Sequence, residues 1–187
     1  MTESYLESVK KQFLYYKMLG EKAMAQLETD QLFFMANEDT NSIATIVKHL
    51  AGNMLSRWTD FMTTDGEKEW RHRDAEFEND LKTKEEVMQL WGKGWDCFLF
   101  ALNSLEPQQL TNIIYIRNEG HTVAEAINRQ LAHYPYHIGQ IVFSAKQLKN
   151  SSWDSLSIPR NASNSYNAEK FAKDKSIKNF TNDEMKK

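Results

Sequence analysis

Four long stretches of this chain repeat apolar side chains every three or four positions, and that spacing leaves few folds open. The first carries Leu6, Val9, Phe13, Tyr16, Ala23 and Leu27, and the second Ile43, Val47, Leu50, Met54, Trp58 and Phe61. The third carries Val87, Trp91, Phe98, Leu102 and Leu105, and the fourth Val123, Ile127, Leu131, Tyr134, Ile138, Ile141, Ala145 and Leu148. A helix turns about 100° per residue, so each set lines one face. Start signals agree with the periodicity. Thr83 with Glu86, and Thr122 with Glu125, read as capping boxes, and Asn41 or Ser42 can cap the second helix. Pro107 falls just past the end of the third. The pattern predicts an all-α fold, an antiparallel four-helix bundle over residues 1–160, followed by a polar C-terminal extension over residues 161–187. A chain of 187 residues fits one such domain, and only three prolines and seven glycines argue against a turn-rich all-β fold.

Two connections exceed what an ideal bundle needs. Residues 64–82 are polar, with Trp70 and Phe77 embedded, and residues 108–121 hold Ile113 to Ile116 and then Asn118, Glu119 and Gly120. The second reads as a short β-hairpin or an extended cover over one end of the helices. Long ordered loops in compact domains are often functional. Beyond residue 150 the chain is expected to pack on the helices to about residue 160. Tyr166 and Phe171 are candidates to dock, and the final turn or two of chain is expected to be mobile.

The net charge is −3 with signs interspersed, which makes no electrostatic case for nucleic acid or an anionic membrane surface. No uncharged apolar run approaches the roughly 20 residues of a membrane span. The opening Met1-Thr-Glu-Ser-Tyr-Leu has neither the basic nor the apolar region of a signal peptide. A single cysteine, Cys97, precludes an internal disulfide. A cytoplasmic protein is the expectation, with Cys97 a buried small hydrophobe.

Chemistry concentrates on the fourth segment. His133 and His137 are four residues apart, which on a helix stacks them on one face with Cβ atoms roughly 6 Å apart, close enough to share a divalent cation. They belong to a polar stripe of Gln130, His133, His137, Gln140 and Ser144 on the shoulder of the apolar face. The second segment has a matching stripe of Thr45, His49, Asn53, Ser56 and Asp60, with Arg57 beside it. Facing shoulders would line a polar groove at a helix–helix seam, where bundles commonly build metal and cofactor sites. Against this stands the plainer possibility of surface or hydrogen-bonded histidines, since the spacing is cheap. His72 and His121 are expected to be structural or solvent-exposed. Pro135, between the two histidines, removes a helical hydrogen bond; it is either a tolerated kink or a device that tilts His133 relative to His137.

The combined strings resemble the DinB-like superfamily of metal-dependent helical-bundle proteins, in a largely uncharacterised bacterial branch. They are His49-Leu-Ala-Gly-Asn-Met-Leu-Ser-Arg-Trp58, Asp60 to Lys68, Arg117 to Thr122, Ala126 to His133, Gly139-Gln140 and Ser157-Ile-Pro-Arg160. The likeness covers most of residues 1–165. It implies a divalent metal, zinc or nickel, held by His49, His133 and His137, and a homodimer. It also implies, as in some relatives, an S-transferase or isomerase acting on a small-molecule substrate through a low-molecular-weight thiol. Asn53, Arg57, Arg129 and Gln140 are the candidates to orient substrate or the ligand histidines. Pro135 stands where the branch is expected to carry a helix-compatible small residue. Asn161 stands where the branch tends to have glycine, and asparagine tolerates left-handed backbone, so that turn is expected to survive. Two other classes remain open: a non-catalytic metal- or ligand-binding bundle, and a helical interaction module with no metal.

Overall fold

The computed structural model describes residues 2–185, with side chains from residue 5 onward. The parts of the leader and tail expectations that fall on Met1, Lys186 and Lys187 lie outside the described residues. Among the described residues the chain is all-α apart from one hairpin. Its helices are α1 (Thr2–Ala25), α2 (Thr29–Leu32), α3 (Ile43–Trp58), α4 (Lys84–Ser104), α5 (Val123–Lys149), α6 (Ser163–Phe171) and α7 (Thr181–Glu184). Strands β1 (Ile113–Ile116) and β2 (Glu119–Thr122) pair antiparallel. Among the described residues no helix is long and apolar enough to cross a membrane.

Three of the four predicted helices, α3, α4 and α5, start where their caps place them. Ser42 Oγ accepts from the Thr45 amide at 3.1 Å, and Thr83 with Glu86 and Thr122 with Glu125 close both expected capping boxes. Each cap satisfies amides that the first helical turn leaves without partners. Helix α3 packs along α4 and α1 along α5, with further contacts between α3 and α5 and between α1 and α4. Between α3 and α4 the backbones nearly touch: a β-carbon added at Gly94 would lie 2.8 Å from the Ala51 Cα. Aromatic rings from α1, α3, α4 and α5 meet in edge-on and tilted contact in the core. Phe13 meets Phe98 at 4.6 Å between centroids, Phe98 meets Tyr134 at 5.2 Å, and Trp58 meets Phe98 at 5.0 Å. Trp58 Nε1 donates to the buried Tyr134 hydroxyl, which donates to Asn53 Oδ1, each at 3.2 Å. Helix α5 runs unbroken through Pro135.

The two long connections are pinned to the helices and to each other. Hairpin residues Arg117 and Asn118 both take positive φ, 57° and 62°, the backbone of a two-residue primed turn built without glycine. The Asp65 carboxylate accepts from both of their amides at 2.8 Å, while Gly66 N donates to Tyr115 O at 2.8 Å. Ser56 Oγ on α3 donates to Gly66 O at 2.7 Å and accepts from Lys68 N at 3.2 Å. Further along, Lys48 of α3 donates to Ala75 O at 2.7 Å and Glu78 O at 2.8 Å and pairs with Asp80. These contacts lay the 64–80 segment over the same face of α3 that carries His49.

The last part of the chain differs in detail from expectation. Trp153 and Leu156 pack on the core, and Asn161 takes φ of 69°, the left-handed turn expected there. Phe171 does not dock: it is 85% exposed, because α6 presents no buried face to the helices. Tyr166 is half-buried with the Lys170 ammonium 5.3 Å from its ring centre. Helix α7 instead meets α1, burying Thr181 and setting Phe180 against Tyr15. Cys97 is half-buried beside Thr59, more open than a core thiol.

Candidate metal centre

His49, His133 and His137 converge. His133 Nε2 lies 3.3 Å from His49 Nε2 and 3.1 Å from His137 Nε2, and each residue offers one ligand atom, all within 4.8 Å of one another. Imidazole nitrogens 2.0–2.1 Å from a tetrahedral ion stand roughly 3.4 Å apart, so the set closes on a point a single cation can occupy. Other chains of groups could satisfy nitrogens this close only by placing a proton between them. The far side of each ring argues against that. His49 Nδ1 is 2.9 Å from Glu76 Oε2, and a carboxylate only accepts, so the proton sits on Nδ1 and leaves Nε2 with its lone pair. His137 Nδ1 faces Gln140 Oε1 at 2.7 Å, and the same amide's Nε2 lies 3.3 Å from Tyr136 Oη. His133 Nδ1 faces Gln130 Oε1 at 3.4 Å. With each Nδ1 turned toward an oxygen, the Nδ1–H tautomer leaves the three Nε2 atoms free to meet one cation. The donor set fits a divalent metal.

Burial reinforces the neutral state. It pulls His133 down from 6.5 to about 4, with the neighbouring His137 and His49 rings and Arg129 adding to the effect. His137 is also lowered, chiefly by burial, against the opposing hydrogen bond to Gln140. Glu76 behaves the other way: burial pushes its carboxyl up, but hydrogen bonds from His49 and Arg71 outweigh that and hold it below its ordinary range.

Glu76 reaches His49 because α3 has no side chain in its path. A β-carbon at Gly52 would fall 2.2 Å from Glu76 Oε1. Arg71 completes the arrangement, donating through Nε and Nη2 to the two Glu76 oxygens at 2.7 and 3.1 Å. Phe77 stacks on His49 with centroids 5.4 Å apart and planes 28° apart.

The histidines line a cavity of about 540 Å³ that also touches Asn53, Arg57, Arg71, Arg73, Phe77, Arg117, Arg129 and Gln130. Of the residues expected to orient substrate or ligand, Asn53, Arg57 and Arg129 lie on this wall. Gln140 lies outside it and holds His137. Arg57 is tied to Gly66 O and, at 2.9 Å, to Glu67 Oε2. His72 is exposed and His121 half-buried, and neither belongs to the cluster of ligand atoms. Glu76, Arg71, Arg73, Phe77 and Arg117 were not among the expected site residues. The sequence signals for them were the polar, aromatic-bearing 64–82 loop with its Arg71-His72-Arg73 run, and, for Arg117, the Arg117 to Thr122 string of the hairpin.

Residues 1–162 match the family described as Protein of unknown function (DUF1572). The chain belongs to that family. Comparison with curated proteins and with solved structures gives no match. The site of this DUF1572 chain is therefore read from its own residues.

Proposed function

We propose that this protein is a metal-dependent enzyme of the DinB-like type, with an antiparallel four-helix bundle as its scaffold. His49, His133 and His137 hold zinc or nickel, and the reaction is a thiol-dependent S-transfer to a small molecule. One observation carries the reading: three imidazole Nε2 atoms converge on a common point on the wall of an open cavity. A closed structural site would have four protein ligands, whereas three leave a position for an exchangeable group. A cation there lowers the pKa of a thiol or water that joins it, supplying a nucleophile near neutral pH. The chain's own part is to fix the rings. Glu76, Gln130 and Gln140 hold the protons on Nδ1, Gly52 makes room for Glu76, and Arg71 keeps that carboxylate ionised. Asn53 presents its side chain to the cavity while anchored to Tyr134. The thiol, as cosubstrate, rests on the resemblance of the sequence strings described above.

Elemental analysis of protein purified without chelators tests the metal. About one ion per chain is expected in wild type, falling to a small fraction in His49→Ala and His133→Ala. Metal content near zero in wild type, or unchanged in both variants, refutes the centre. Stoichiometric metal without turnover in a screen of bacillithiol, mycothiol and glutathione would leave the binding role and remove the transferase.

A further inference from the structure

Five arginines face the cavity beside the histidines: Arg57, Arg71, Arg73, Arg117 and Arg129. Only two carboxylates engage them. Glu67 Oε2 takes Arg57 at 2.9 Å and Arg117 at 3.1 Å, and Glu76 takes Arg71. Arg73 and Arg129 have no carboxylate within ion-pair distance among the described residues, in a protein whose net charge is −3.

The donors themselves show unfilled capacity. The Arg71 side chain is 3% exposed, yet its Nη1 has no hydrogen-bond partner and stands 3.7 Å from Glu67 Oε2, too far to donate. A buried guanidinium nitrogen without an acceptor is costly unless something supplies one. Arg73 rests with its guanidinium 5.2 Å from the Phe77 ring centre, and Phe77 stacks on His49. Arg129 makes no hydrogen bond or ion pair among the described residues, although its charge reaches His133.

We propose that this wall is an oxyanion subsite, and that the substrate of the centre is a small molecule bearing a carboxylate or phosphate group. Arg71, Arg73 and Arg129 bind that group while the rest of the molecule lies toward the histidines. Guanidinium groups suit either anion because their paired N–H donors match two oxygens at once. A cavity of about 540 Å³ is the size of a metabolite site. The inference names a substrate class for the metal-dependent reading and rests on it for any reaction, but binding of the anion is measured apart from the metal.

The probes are inorganic phosphate and succinate, titrated by calorimetry into zinc-loaded and chelator-treated protein. At least one should bind the chelator-treated chain with Kd near or below ~1 mM, and which one distinguishes the two anion sources. Arg73→Gln and Arg129→Gln, both at exposed positions that leave the core intact, should each weaken binding about tenfold. Arg71→Lys should do the same, with circular dichroism reporting its fold. Anion binding that persists in His133→Ala while metal is lost supports the subsite independently of the centre. No binding to the chelator-treated protein overturns the proposal, as does undiminished binding in both exposed variants. Binding seen only in the zinc-loaded form also overturns it, and leaves the metal reading standing.

Discussion

Gly52 carries a role out of proportion to its size. In the middle of α3, glycine is a poor helix former, and alanine there would ordinarily stabilise by about 1 kcal/mol. Here the added carbon would collide with the Glu76 carboxylate at 2.2 Å. Either Glu76 leaves His49 or the loop carrying it shifts, and the His49 ring loses the acceptor that sets its tautomer. Gly52→Ala should therefore weaken metal binding by about 10–100-fold, the usual range for loss of a ligand's supporting partner. The helix content should be unchanged. Competition against a chromophoric chelator measures the affinity. Wild-type affinity in the alanine variant would show that Glu76 does not position the ring.

At the scale of elements, Lys48 fastens the 64–82 connection to α3. Its side chain is only 12% exposed and serves Ala75 O, Glu78 O and Asp80 together. Lys48→Met keeps the packing of the stem and removes all three bonds. A loss of about 1–3 kcal/mol is expected by urea denaturation, with faster amide exchange confined to residues 70–80. Exchange spread evenly over all helices would contradict this local role. The same segment shows why parts of the site were illegible in the sequence. Helices α1, α3, α4 and α5 announced themselves by spacing and caps, because burial of one face requires that spacing. His49, His133 and His137 were legible for the same reason, since helical periodicity fixes which side chains share a shoulder. Glu76 and Arg71 sit in an aperiodic segment whose path depends on Lys48, on Ser56 and on a missing side chain at Gly52. None of these leaves a repeating signature. Phe171 failed in the opposite sense: an apolar residue in a polar tail reads as an anchor, yet α6 has no buried face for it to complete.

For the molecule as a whole, the buried imidazoles tie stability to pH. Above about 6.5 the folded and unfolded chains both hold His133 neutral. Between about 6.5 and about 4 the unfolded chain takes up a proton that the folded one resists, so stability falls as pH falls; below about 4 both bind it. Glu76, with its folded carboxyl lowered, adds a loss of the same sign as pH drops below the ordinary carboxylate range. Chelator-treated protein should thus show a Tm that declines from pH 7 toward pH 4. His133→Gln should decline less steeply over the same interval. Identical slopes in the two proteins would remove His133 as the source.

His49 comes from one third of the chain, Glu76 from a loop, and the remaining two rings from α5. No fragment lacking α3 or α5 can assemble the ligand set, and one lacking Glu76 would hold an ion more weakly. Ion uptake by this protein would accordingly act as a gauge of maturation, silent in a nascent or clipped polypeptide and switched on when α3, α5 and the segment between Thr64 and Lys82 have found one another.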